Sequence, residues 1–431
     1  MDFIFQIPYI IRVLITLGFM LVLYRAVKSL IFALLAGIIV LSFWSGHSLS
    51  HIINIIWGEF SSLDNIFLML IVLQIIWLST QMKETGVMQD LVSTVSERIS
   101  KKYSLAVLPA LIGLLPMPGG ALFSAPMVRD VDGSNEVSDL SKTKINYWFR
   151  HVWEYWWPIY PGVLLAISLT KLEIWQFILL ELPLSIFSII GGVFFLLRPL
   201  RLKKQIQDPK AKIKNHNFFL LSLPIFTVIG VYTILSLSFP VLPKLNRYLP
   251  MIMAIFCAQV VLFIQRPLAF KKVMGIVSDI GSYKLALIVG LIRVYGAFIE
   301  ARLSDGILLT DHMREELLLL QIPMLAVIMI IPFLSGLTTG IAVGYVGASF
   351  PIVISLLGTN PPLPALLSYT VVAFGFGYIG MMLSPLHVCH LVTNEYFKTN
   401  LVRSIIGLVK PSLVVLAGAL LIYFLIPLII I

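Results

Sequence analysis

Apolar residues in this chain run in long blocks and do not alternate with polar ones. Ten blocks approach the roughly 20 mainly apolar residues that a helix needs to cross a bilayer. They predict spans at about 8–24, 30–44, 64–82, 155–170, 174–197, 217–239, 249–265, 285–300, 364–383 and 411–430. Two further apolar stretches are interrupted. Ser104 to Val128 has no charged residue and carries Pro116-Met117-Pro118-Gly119-Gly120 at its middle. Leu317 to Leu357 is also charge-free, with Ser335-Gly336-Leu337-Thr338-Thr339-Gly340 near its centre. Both predict helices broken at membrane depth, as re-entrant hairpins at 104–128 and 317–357. For the second stretch, two full crossings would give the same parity.

Composition agrees with the block pattern. Of 431 residues, 59% are hydrophobic and 12% charged, and mean hydropathy is +0.97, whereas soluble domains are about a quarter charged. A soluble fold could not hide this much apolar surface, which excludes soluble enzymes, nucleic-acid binders and secreted scaffolds. The two cysteines, Cys257 and Cys389, build no disulfide framework. Met1-Asp2-Phe3 lacks the basic region and cleavage site of a signal peptide, so the first apolar run is expected to be the first span.

The net charge of +10 is a topology signal. If 104–128 enters and leaves on one side, the loops at 25–28, 83–103, 129–150, 198–214, 266–284 and 384–410 share that side, with 24 Lys and Arg against five opposite. If that stretch crosses instead, the split falls to 11 against 18. Positive-inside bias favours the re-entrant arrangement, with loop 198–214 cytoplasmic and both termini outside. Two halves of opposite orientation result, 1–197 and 217–431, joined by a basic linker at 198–216. The fold expected is therefore an all-α polytopic membrane protein of about ten transmembrane helices plus two re-entrant hairpins, in inverted repeats. Paired broken helices in inverted repeats are a transporter pattern.

Candidate chemistry gathers at the breaks. Pro118, Gly119 and Gly120 bend the first and let backbone approach a ligand closely; Ser124 follows on a helix whose N-terminal N–H groups suit an anion. Ser335, Gly336, Thr338, Thr339 and Gly340 would hydrogen-bond a carboxylate or offer oxygens to sodium. The plainer alternative is a pair of Pro-kinked spans whose small residues serve helix packing. Arg293 lies mid-span and would bias the site toward anions, unless a carboxylate pairs with it. Tyr147-Trp148-Phe149-Arg150-His151-Val152-Trp153-Glu154-Tyr155-Trp156-Trp157 holds four of the eight tryptophans and is expected first as an interfacial belt. Arg150 and Glu154 would pair at helical spacing, while His151, Glu154, Glu181 and His387 are proton-carrier candidates. His387-Val388-Cys389-His390 invites a metal reading, but the sequence offers no matching second ligand cluster, so no metal is expected.

Four motifs carry a family resemblance: Pro116 to Ala121, Phe149 to Glu154, Ser335 to Gly340 and Ser384 to His387. With them the chain resembles the ion-transporter superfamily, and within it an uncharacterised prokaryotic integral-membrane family. The resemblance implies a prokaryotic cytoplasmic (inner) membrane location, substrate binding between two hairpin tips, and elevator-like alternating access. Neither tip has the Ser-Asn-Thr of the sodium-coupled dicarboxylate branch, so neither its specificity nor its coupling ion is carried over. The function expected is secondary transport of a small anion, an organic acid first, coupled to protons or sodium. The runner-up is a cation/proton antiporter, weakened by the absence of Asp and Glu from both tips, and an intramembrane hydrolase comes third. The chain is expected to be no enzyme and to need no cofactor beyond H+ or Na+ as coupling ion. Its partners would be the bilayer and the substrate, with a homodimer left open and no nucleic acid.

Overall fold

A computed structural model describes residues 7–96, 99–116, 120–133, 136–200 and 217–429. Among these the chain is helical throughout, and extended pairing is limited to an isolated bridge between Arg302 and Leu308. The first half contains α1 (Tyr9–Val27), α2 (Leu30–Trp44), α3 (Leu49–Phe60), α4 (Leu63–Glu84), α5 (Val87–Ser96), α6 (Lys101–Ile112), α7 (Ala121–Val131), α8 (Asp139–Arg150), α9 (Pro161–Thr170) and α10 (Ile174–Gly192), which runs into a π-turn at Val193–Leu197. The second contains α11 (Phe218–Ser238), α12 (Val241–Leu245), α13 (Leu249–Gln265), α14 (Phe270–Val277), α15 (Ile280–Ile299), α16 (Leu309–Leu319), α17 (Met324–Thr339), α18 (Ala342–Leu356), α19 (Leu363–Met382), α20 (Val388–Tyr396) and α21 (Leu401–Ile429).

This is a multi-pass membrane protein. Seven helices, or eight if a bent pair counts as one, are long and apolar enough to cross a bilayer. Each of the ten predicted spans overlaps a helix, but α2, α9 and α13 have only 15, 10 and 17 residues. The largest departure is at 155–170, where helix begins only at Pro161. Pro158 and Pro161 explain it, because each lacks a donor and pushes its predecessor out of the α region. Helix starts follow local chemistry elsewhere: Ser62, Ser138 and Asp279 each accept the backbone N–H three residues on.

Both interrupted stretches are pairs of short helices. α6 and α7 have 12 and 11 residues, roughly 18 and 17 Å at 1.5 Å per residue, well short of a bilayer core. α17 and α18 have 16 and 15 residues, and α16 meets α17 at a bend of 116°. Members of each pair pack on one another, α6 on α7 and α17 on α18, and each pair also packs on the helix that follows it, α6 on α8 and α17 on α19. Close approach of α17 and α19 depends on glycine: a Cβ on Gly336 would run into the Gly377 carbonyl, and one on Gly380 into the Phe333 carbonyl. The predicted linker 198–216 lies largely outside the described residues.

Burial defines the centre of the bundle. In α19, 78% of the most apolar 18-residue window is buried, against 22% in α11. α19 is thus an inner helix, and α11 turns Phe219, Leu220 and Phe226 outward to lipid. The end of α17 lies beside the segment that follows this inner helix, where a Cβ on Gly340 would meet the Leu386 and His387 backbone.

Candidate functional site

A helix that ends inside a membrane leaves its last carbonyls without partners, and lipid supplies none. Side chains from the segment that follows each pair close the gap. At the end of α6, Trp153 Nε1 donates to the Ala110 carbonyl at 2.8 Å and Trp157 Nε1 to the Leu114 carbonyl at 3.0 Å. The Tyr160 hydroxyl donates to the Gly113 carbonyl. At the end of α17, Ser384 Oγ donates to the Leu337 carbonyl at 2.7 Å, and His387 Nδ1 lies 2.7 Å from the Gly340 carbonyl. Tyr24 of α1 reaches the Thr339 carbonyl at 3.3 Å. Gly340 ends α17 at φ +66°, a conformation that side chains rarely adopt.

The run 147–157 is therefore no interfacial belt. Tyr147, Trp148, Val152, Tyr155 and Trp157 are buried. Beyond Arg150 the backbone changes to tight turns, with His151, Val152 and Glu154 N–H groups bonding three residues back. The predicted helical register between Arg150 and Glu154 consequently ends where α8 ends. The unwound carbonyls are also capped: Tyr378 of α19 donates to the His151 carbonyl at 2.6 Å, and Ser185 of α10 to that of Val152. Tryptophans serve here because an indole combines apolar bulk with one donor.

At the centre of these contacts, His151 meets His387. Their Nε2 atoms are 3.1 Å apart, although 236 positions separate them. His151 Nδ1 lies 2.6 Å from the Tyr147 carbonyl, as His387 Nδ1 lies against that of Gly340. Carbonyl oxygens only accept, so both Nδ1 atoms carry the hydrogen. The Tyr147 ring stacks on His390 at 4.1 Å and meets His151 and His387 edge-on at 4.8 and 5.3 Å. Cys389 Sγ and one ring nitrogen of each of the two histidines lie within 4.8 Å of one another, all three residues buried. Glu154 Oε1 is 3.9 Å from His151 Nε2. Buried Arg150 completes the cluster; a Cβ on Gly120, at the start of α7, would strike its guanidinium.

The other predicted residues are distributed as follows. Pro118 and Gly119 lie outside the described residues. Ser124 on α7 and Ser335 on α17 are fully buried, with no hydrogen-bond partner for either hydroxyl among the described residues. Thr338 and Thr339 donate back to carbonyls of their own helix, those of Leu334 and Ser335, at 2.7 Å each. Gly336 is a packing glycine against α19. Arg293 pairs with Glu59 of α3 at 2.7 Å, so the arginine beside the first break is Arg150. Glu181 on α10 is fully buried, and neither carboxyl oxygen has a hydrogen-bond partner among the described residues.

A family model described as protein of unknown function (DUF401) matches residues 10–426. The chain belongs to that family. Its fold is similar to the crystal structure of the Alcanivorax borkumensis YdaH transporter, itself described as having an unusual topology. The TM-score is 0.60 at 13% identity, over 88% of this chain and 89% of that one. At such identity the likeness is one of fold. No curated protein matches the chain significantly.

Four residues of this DUF401 member gain weight only from the structure: Tyr160, Ser384, Cys389 and the guanidinium of Arg150. A usable signal was present for two of them. Each helix break needs donors for its orphan carbonyls, and Tyr160 and Ser384 are hydroxyl-bearing residues downstream of the two pairs, each directly before a proline. For Arg150 the sequence offered only a helically spaced pairing with Glu154, and the fold alone sets it beside Gly120; Cys389 stood in the His387–His390 motif, but its neighbour His151 comes from the opposite half.

Proposed function

We propose that this protein is a secondary transporter that moves a small anion, with an organic acid the first candidate, by elevator-like alternating access. In this reading α6/α7 and α17/α18 are re-entrant hairpins whose tips face one substrate site. The observation that carries the reading is the convergence of two helix breaks, one from each half, on a single buried polar cluster. Broken helices that meet in this way are the usual construction of a transporter binding site. The similarity in fold to a transporter supports the same conclusion.

The anionic preference rests on Arg150 and on the start of α7. A guanidinium against the N-terminus of a helix adds its charge to the positive end of the helix dipole, and neither tip has an acidic residue to oppose them. Ser124 and Ser335 would give the substrate its hydroxyl contacts, since both are buried with unused hydrogen-bonding capacity. Coupling to protons or sodium would fall to Glu181, because a bare buried carboxylate is costly and calls for a proton or a cation.

Purified protein in proteoliposomes tests this directly. Uptake or counterflow is measured across organic and inorganic anions, with sodium and pH gradients imposed separately. The expected result is saturable flux of an anion that follows one gradient and is lost in Glu181→Gln. Absence of flux for every anion under both gradients would refute the reading.

A further inference from the structure

We infer that His151, His387 and Cys389 form a binding site for one divalent transition-metal ion of the zinc class, bridging the two halves. The observation is a conflict that a metal resolves. With both Nδ1 hydrogens committed to backbone carbonyls, each neutral ring turns the lone pair of its Nε2 toward the other. Two such lone pairs at 3.1 Å repel unless something electrophilic lies between them. A third donor, Cys389 Sγ, is within 4.8 Å of one nitrogen of each ring.

Geometry and chemistry both suit the ion. Zinc–nitrogen bonds of about 2.0–2.1 Å in a tetrahedron place two nitrogens about 3.3 Å apart, close to the observed separation. Imidazole and thiolate are the donors that borderline-soft divalent ions select. Metal-binding histidines characteristically donate the other ring N–H to a carbonyl or carboxylate, which fixes tautomer and ring orientation. Here the Tyr147 and Gly340 carbonyls accept those N–H groups. Glu154, 3.9 Å from His151 Nε2, is placed to take the fourth position. A thiolate and a carboxylate would then offset the ion's two charges, leaving the single positive charge of Arg150 in the cluster.

The site joins the turn after α8 to the tip after α17, since Gly340 caps α17 and holds His387. An ion there would tie both helix breaks into one body. That consequence rests on the transporter reading, in which both breaks move together; the metal site itself does not.

Metal content of the full-length protein, purified in detergent without chelators, is the test. About one zinc per chain is expected, removed by a strong chelator with a fall in Tm and restored by zinc. Cobalt loading should give a thiolate-to-cobalt charge-transfer band that Cys389→Ser abolishes. His151→Ala and His387→Ala should each lose stoichiometric metal, whereas His390→Gln should retain it, because His390 Nε2 is held by Ser404 Oγ at 2.7 Å. If the single variants do not fold, chelation and reloading of the wild-type protein decide the matter. Less than a tenth of an equivalent of metal, with no cobalt band after loading, would overturn the inference and leave a proton shared between the rings. Stoichiometric metal in a protein without flux would refute transport and leave the site intact.

Discussion

Trp153 donates its indole N–H to the Ala110 carbonyl at 2.8 Å and so finishes a helix that ends within the bundle. In the second half, Ser384 does the same for the Leu337 carbonyl at 2.7 Å. The two contacts are chemically unlike but do one job. Each gives a partner to a carbonyl that the end of a short helix would leave bare.

Trp153→Phe keeps the ring and removes the donor. Leaving a part-buried carbonyl unpaired should cost about 1–3 kcal/mol. Thermal unfolding in detergent measures it, and an unchanged Tm would mean that water already serves the Ala110 carbonyl.

Gly336→Ala should destabilise by about 1–3 kcal/mol, because the new methyl meets the Gly377 backbone and not a flexible side chain. Gly230→Ala on α11 is the contrast. A Cβ there meets nothing within 4 Å, so helix propensity should leave stability unchanged or raise it by about 0.5–1 kcal/mol. Equal effects at the two sites would contradict the close α17–α19 packing.

Ser124→Ala and Ser335→Ala remove buried hydroxyls that bond to nothing described. Stability should hold within about 0.5 kcal/mol. If both contact substrate, KM should rise about tenfold per lost hydrogen bond, a factor equivalent to about 1.4 kcal/mol. An unchanged KM in both variants removes these serines from the site.

Arg293 and Glu59 should behave as a structural pair. Their side chains are about one-fifth exposed, so each single neutralisation leaves a partly buried partner charge. A double-mutant cycle with Arg293→Gln and Glu59→Gln should give coupling of about 0.5–3 kcal/mol in stability, with substrate affinity unaffected. Coupling near zero, together with a raised KM for Arg293→Gln alone, would return Arg293 to the substrate site.

In the loop after α15, Asp305 accepts the Ile307 N–H at 2.9 Å and faces His312 Nε2 at 2.7 Å. The backbone bond first, and His312 second, hold its carboxyl below the usual range. A depressed carboxyl adds stability above its unfolded pKa and loses it as pH falls through the folded value. Amide exchange of residues 302–308 should therefore speed up in Asp305→Asn near neutral pH. The difference from wild type should vanish once acid protonates Asp305. A difference that persists in acid would assign the protection to shape alone.

Much of this protein was legible in its sequence because the bilayer is a strict solvent. Apolar run length marked the membrane helices. Pro116 and Gly340 marked where helices stop. The expectation at 155–170 erred because a buried aromatic turn and a membrane span share one composition, and only Pro158 and Pro161 distinguish them. The belt reading of 147–157 erred for the same reason. Tryptophan anchors at an interface, yet it caps carbonyls equally well inside.

Local and compositional features thus came from the sequence alone: the compartment, the helices and the two breaks with their small residues. Tertiary structure decided which side chains meet. His387 and Cys389 lacked a third ligand in the sequence, and packing of one half on the other supplies His151 from 236 positions away. It likewise paired Arg293 with Glu59. A local pattern records what a segment can do with its own backbone and solvent. The register between two halves is fixed by close packing across the interface, which no single segment encodes.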